Sequence, residues 1–221
     1  MSNNKKGIEV VIIDTGERLT LAHYTTTEQQ EYVKNKYKMT EENKQFNDEH
    51  GGFIFKEDST KVDKLESNMT DSDIIKTLYL ATYLDYDSYL KFDSGKIMNK
   101  ADIKQVIGVN KNLFGKWYNK MLSLKILTED DKGIHMSKNY YVKGTIAKNK
   151  DYNRMFIEGT RQIYEYNKNS NHTMIGQMIR LLKYVNTHTN VLCWNPLESD
   201  TEKIVPITIG QLAKEFGYNR S

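Results

Sequence analysis

Eight polar side chains crowd one short stretch of this chain: Lys100, Asn110, Lys111, Asn112, Lys116, Asn119, Lys120 and Lys132. An asparagine amide donates and accepts side by side, which matches the paired acceptor and donor on the exposed edge of adenine. A lysine ammonium donates to guanine acceptors or to phosphate oxygens. Helical spacing from Lys111 to Leu124 places Phe114, Tyr118, Met121 and Leu122 on one side. The other side then shows Lys111, Asn112, Gly115, Lys116, Asn119 and Lys120, with Asn110 at the entry to the helix. A cylinder that is apolar on one face and rich in Lys and Asn on the other suits the major groove of duplex DNA.

The elements that would position such a helix are written twice. Lys100 to Lys111 (KADIKQVIGVNK) parallels Ile209 to Arg220 (IGQLAKEFGYNR), each a short amphipathic helix closed by Gly, an apolar residue, Asn and a base. Upstream, Leu80 to Leu90 parallels Leu181 to Val191. In the first copy, Thr70 with Asp73 predicts a capped helix from Ile74 to about Tyr86, with Asp93-Ser94-Gly95 as a turn after it. Asn99 caps a second helix that buries Ile103, Val106 and Ile107, and Gly108 permits its tight exit. Ile126-Leu127 and Ile134-His135-Met136 then read as two strands about an Asp130 to Gly133 turn. Three helices followed by a hairpin is the winged-helix order. The second copy opens at Thr173 and is expected to bury Met174, Met178, Leu181, Leu182 and Val185, with Thr208 and Gln211 as its capping box. It stops at Ser221, where a third helix would begin: either the chain belongs to a longer protein, the favoured expectation, or the partial module serves as a structural or interaction unit.

The flanks are simpler. Ile8 to Ile13, the turn Asp14 to Glu17 and Leu19 to Leu21 predict a β-hairpin. Glu28 to Asn47 reads as a solvated helix, and Phe53-Ile54-Phe55 as a brief strand. The expected organisation is an N-terminal arm over 1–56, a polar linker over 57–69 and a winged helix over 70–146. A connecting helix follows over 147–172, with an incomplete second winged helix over 173–221. The fold class is mainly α with small β-hairpins, that is α+β.

Composition narrows the function classes. Thirty-two bases against 29 acids give a net charge of +3, so distribution rather than total charge must draw a polyanion. The hairpin tip is acidic at Glu129, Asp130 and Asp131, which phosphate would repel unless the tip turns aside. No apolar run reaches membrane-spanning length and no leader opens the chain, so a bacterial cytoplasm is the expected location. The single Cys193 rules out an internal disulfide and a cysteine-based zinc site.

Catalysis finds little footing. Gly108 to Lys116 echoes a phosphate loop, but six residues separate its glycines and Trp117 stands where Ser or Thr is needed. The five histidines are scattered with no His-x-His pair, and no carboxylate dyad stands out. Neither catalytic residue, metal nor cofactor is expected. Tyr140-Tyr141-Val142 reads either as a strand covering the core or as a surface for homodimer formation.

The Gly133-Ile134-His135-Met136 strand and the run Tyr141-Val142-Lys143-Gly144 resemble the wing and exit of RepL-type replication proteins of Gram-positive phages and plasmids. The likeness covers about residues 70–146, with a weaker echo at 8–21 around Ile13-Asp14-Thr15-Gly16-Glu17. Ser137-Lys138 stands where that family has Asn-Pro. The resemblance implies a replication initiator, and the same architecture is similar to phage transcription regulators. The expected partner is double-stranded DNA, read by Lys111, Asn112, Lys116 and Lys120. On this reading Lys116 and Lys120 can both be reversed to Glu with loss of DNA binding and no loss of fold. The alternative is a phage-encoded module that binds a host replication or transcription protein without DNA, favoured by the near-neutral charge and the acidic tip.

Overall fold

Short β-branched segments at the start of the chain pair as an antiparallel hairpin, β1 (Ile8–Val11) with β2 (Arg18–Leu21), in the register Ile8 to Leu21. The computed structural model describes residues 8–11, 18–21, 27–50, 52–147, 151–167 and 172–217. The turn at 14–17, with the Ile13 to Glu17 motif, and the Asn219-Arg220 end of the repeat lie outside them. The chain divides into two compact units between Glu49 and His50. In the first unit β1 and β2 precede α1 (Thr27–His50), whose described side chains are all exposed. That is the solvated helix its polar composition predicts.

The second unit is a mixed α+β fold with small antiparallel sheets. Its elements are β3 (Phe53–Asp58), α2 (Thr60–Glu66), α3 (Asp71–Ala81), α4 (Lys100–Ile107), α5 (Lys111–Ser123), β4 (Leu127–Asp130) and β5 (Gly133–Met136). Then come β6 (Tyr141–Val142), β7 (Asp151–Phe156), α6 (Ile157–Tyr166), α7 (His172–Leu181) and α8 (Ile209–Glu215). Four expectations need correction here. Residues 57–69 are not a linker: they finish β3, form α2 and bury Val62, Glu66 and Met69. The strand at Phe53 belongs to this unit rather than to an arm, as the centre of the sheet β6-β3-β7. The connecting helix begins only at Ile157, because Asp151–Phe156 pairs along β3 with Arg154 lying over the Phe53 ring. Finally, the described residues of the expected last domain, 173–217, belong to the same compact unit.

Two packing devices hold the unit together. α6 stacks Tyr164 flat on Tyr79 of α3, ring centroids 3.8 Å apart, and gives its hydroxyl to the Ile107 carbonyl. α7 lies against the start of α3 so closely that a Cβ at Gly176 would strike the Asp71 carbonyl. Arg180 reinforces this contact by donating to Asp71 and to the Met69 carbonyl. That docking rotates α7 so that Ile175, Gly176 and Ile179 are buried, while Met174 and Met178, expected in the core, stand exposed. Leu181, Leu182 and Val185 are half-buried. Tyr140, Tyr141 and Val142 are buried, with Tyr141 and Val142 paired to β3. This patch therefore covers the core and is not itself exposed to a second copy.

The two copies share their local hydrogen bonds. Asp85 and Asn186 each accept two backbone N–H groups with one side-chain oxygen. Lys91 N–H donates to the Tyr83 carbonyl as Cys193 N–H does to Tyr184, at 2.8 Å in both. α4 and α8 each start from a capping box, and Gly108 and Gly217 follow them with φ of 69° and 67°. Only glycine takes that left-handed turn without strain. α3 stops at Ala81 rather than Tyr86 because the residues after it enter the extended pairing of Leu84 with Leu90.

Beneath the three-stranded sheet, Lys56 meets Glu66 at 2.9 Å, both nearly sealed from solvent, and Tyr140 donates its hydroxyl to the same carboxylate. Removing one member of such a pair leaves a buried charge without its partner. Lys56→Met is expected to destabilise the protein by about 3 kcal/mol in urea unfolding. A loss below about 1 kcal/mol would show that the pair is dispensable.

Candidate nucleic-acid interface

α5 is positioned from both ends and from beneath. Asn110 caps it, its side-chain oxygen accepting from Leu113 N–H at 2.9 Å. That oxygen is therefore engaged in starting the helix, which removes Asn110 from the set available for paired recognition of a base. Phe114, Trp117, Tyr118 and Met121 are buried and Leu122 is half-buried, so the apolar face lies where its spacing puts it.

The opposite face carries Lys111, Asn112, Lys116 and Asn119, all exposed, and none of their side chains makes a hydrogen bond or ion pair among the described residues. Gly115 sits among them with nothing within 4 Å of the place a Cβ would occupy. A glycine inside a helix costs about 1 kcal/mol relative to alanine. Here it flattens the polar stripe between Lys111 and Lys116, allowing another surface to approach the helix backbone.

Lys120 does not belong to that face. Its ammonium pairs at 2.8 Å with Asp73 of α3, whose carboxylate also accepts from Thr70 N–H in the capping box. Burial pushes the Asp73 carboxyl up, but Lys120 and the Thr70 N–H outweigh it and hold the group below the ordinary aspartate value. Thr77 beside it donates to the Met121 sulfur at 3.3 Å. Lys120 is thus a strut between helices, and reversing it cannot leave the fold untouched as the sequence alone implies. Lys100, at the start of α4, leans its ammonium over the Tyr118 ring at 4.5 Å.

The hairpin of β4 and β5 forms as expected, in the register Leu127 to Met136. A further strand-like piece joins it: Leu90 N–H donates to the Ile134 carbonyl and Met136 N–H to Ser88. Gly133 at the tip has φ 148°, and a Cβ there would come within 2.6 Å of Ile97, so both conformation and space demand glycine. Two carboxylates of the acidic tip are fixed in place by their own neighbours and keep their charge. Tyr118 donates to Glu129 at 2.6 Å, and Tyr89 to Asp130 at 2.8 Å. Asp130 also accepts from Lys132 N–H and Gly133 N–H. Asp131 and the Lys132 side chain, both exposed, make no such contact among the described residues.

No family model, curated protein or solved structure matches the chain. Among the described residues no group of three His, Cys, Asp or Glu is placed to hold a metal, and no helix is long and apolar enough to cross a membrane. Of the eight site residues read from the sequence, Lys111, Asn112, Lys116 and Asn119 share one open face. Lys132 lies at the hairpin tip, Asn110 is a cap, Lys100 is laid on an aromatic ring, and Lys120 is paired. Sequence reasoning missed Asp73 as the partner of Lys120, because a contact across 47 residues leaves no local signal.

Lys120→Glu is expected to set a second carboxylate against Asp73 and to destabilise the fold by about 2 kcal/mol, read by thermal or urea unfolding. The Asp73 contribution has a definite sign with pH. Its folded-state value is lowered, so the stabilisation is full above the ordinary aspartate pKa of about 4 and drains away as pH falls through the lower folded value. Asp73→Asn should flatten that acid limb; an unchanged limb would remove the pair from the account.

Proposed function

We propose that residues 70–146 form a winged helix and that α5 is its recognition helix for duplex DNA. The element order supports this: α3, the extended Tyr89 to Lys91 piece, α4, the left-handed Gly108 turn, α5, then β4 and β5. The observation that carries the reading is the unpaired set Lys111, Asn112, Lys116 and Asn119 around Gly115, on a helix whose other face is buried. Asn112 and Asn119 offer free amides to base edges, while Lys111 and Lys116 offer ammonium groups to guanine or phosphate. Glu129, Asp130 and Asp131 keep the hairpin tip acidic, so in this reading the tip turns aside from the phosphates and α5 makes the contact. Within this reading the protein is a replication initiator or transcription regulator of a phage or plasmid, in keeping with its resemblance to RepL-type proteins. The double-stranded site it reads is an origin or an operator.

The test follows from the corrected site. Lys111→Glu combined with Lys116→Glu should abolish retention of labelled duplex in a gel shift while leaving the unfolding midpoint near that of the parent. Undiminished retention would overturn the assignment, and no shift by the parent protein at low salt would favour a protein partner instead. Replacing either lysine with Ala should lower the slope of log affinity against log salt by about 1, since each phosphate contact releases about one counterion. Gly115→Leu separates stability from recognition. The substitution is expected to hold or raise helix stability, by up to about 1 kcal/mol, yet to weaken duplex binding at least about tenfold. Parental affinity in that variant would show that nothing approaches the helix there.

A further inference from the structure

The two faces of the sheet β6-β3-β7 differ in make-up. On one, Ile54, Tyr141 and Met155 join the main hydrophobic core, and Lys56 pairs with Glu66 beneath β3. The register fixes the other face. It sets Phe53 opposite Phe156, Phe55 between Arg154 and Val142, and Glu57 opposite Tyr152. An antiparallel sheet with one face on a core ordinarily turns polar side chains outward. Here aromatic rings stand there instead. Phe53 and Phe55 pack edge to face at 5.1 Å between centroids, and Phe55 and Tyr152 at 6.0 Å. The Arg154 guanidinium lies 4.5 Å from the centre of the Phe53 ring. Phe53, Phe55 and Tyr152 are half-buried and pack against neither hydrophobic core among the described residues. The Arg154 side chain is exposed and makes no hydrogen bond or ion pair among them.

We infer that this face is a binding platform for single-stranded nucleic acid, with bases laid on Phe53, Phe55 and Tyr152 and a phosphate held by Arg154. Every base has a flat π face, so a group of aromatic side chains takes single strands of any sequence, and a guanidinium adds stacking and charge together. A duplex keeps its bases stacked on one another and offers no such face. Glu57, the acid on this side of the sheet, is buried at the Tyr152 end. Phosphate is therefore drawn to the Phe53 end, where Arg154 lies. The same chemistry recurs just after β6, where the Lys143 ammonium lies 5.7 Å from the centre of the Tyr86 ring, itself 72% exposed. Lys56, Glu66 and Tyr140 brace β3 from the core side, so the platform is set before a ligand arrives. None of this depends on α5 or on duplex binding.

Fluorescence anisotropy of the full chain with labelled oligo(dT) and oligo(rU) at low salt tests the inference. At least one of the two should bind, and the tighter identifies the sugar that the platform prefers. Phe55→Leu keeps an apolar side chain but removes the ring, and should weaken that binding at least about fivefold. Arg154→Ala should lower the slope of log affinity against log salt by about 0.7, the single-strand value for one phosphate contact. A parent that binds single strands but no duplex keeps this inference and removes the reading of α5; one that binds duplex alone does the reverse. Photocrosslinking on the parent protein guards against a variant that fails to fold. The bound strand carrying 5-iodouracil should attach to Phe53, Phe55 or Tyr152, mapped by mass spectrometry. Attachment to α5 alone would overturn the assignment, as would undiminished binding by a folded Phe55→Leu protein. No binding of either strand at low salt would also overturn it and leave the face to a protein partner.

Discussion

One face of α5 has to be buried for the second unit to have a core, and that requirement governs what the other face can do. Phe114, Trp117, Tyr118 and Met121 are sealed among α3, α4 and the hairpin, and large apolar side chains of this kind each contribute about 1.5–3 kcal/mol on burial. With that side fixed, the helix cannot roll, so Lys111, Asn112, Lys116 and Asn119 are held outward whether or not a ligand is present. Their side chains have no partners within the described residues to give up on binding, and the rotation of the helix is already determined. Recognition on such a surface is preorganised by packing on the opposite side.

The polar contacts around α5 do a different job. Asp73 joins the capping box of α3 to Lys120 of α5, so one carboxylate sets the start of one helix and the height of another. Tyr118 lies under the Lys100 ammonium and donates to Glu129, linking the helix to the first strand of the hairpin. Burial, followed by the Glu129 carboxylate, holds the Tyr118 hydroxyl protonated well above its ordinary range, so the donor is present at every physiological pH. Because these links are charged or hydrogen-bonded, they specify geometry more than they add stability. They also consume two of the residues, Lys100 and Lys120, that a reading of charge alone would assign to a ligand.

What was legible in the sequence follows the same division between local and distant causes. The capping boxes at Thr70, Asn99 and Thr208, the Gly108 exit, the α5 core face and the β4–β5 hairpin are all set by residues within one or two turns of each other. Periodicity and cap chemistry therefore suffice to find them. The sheet β6-β3-β7 was not legible, because its strands are short, far apart in sequence and partly charged. Charged residues such as Glu66 made 57–69 look solvated, whereas the Lys56 ammonium and the Tyr140 hydroxyl satisfy Glu66 inside the protein. The rotation of α7 escaped notice for a related reason. Met174 and Met178 fit an apolar stripe as well as Ile175 and Ile179 do, and only the glycine contact with Asp71 decides which pair turns inward. The face of α5 was readable, but which of its lysines are free depended on partners 47 residues away or across an aromatic ring.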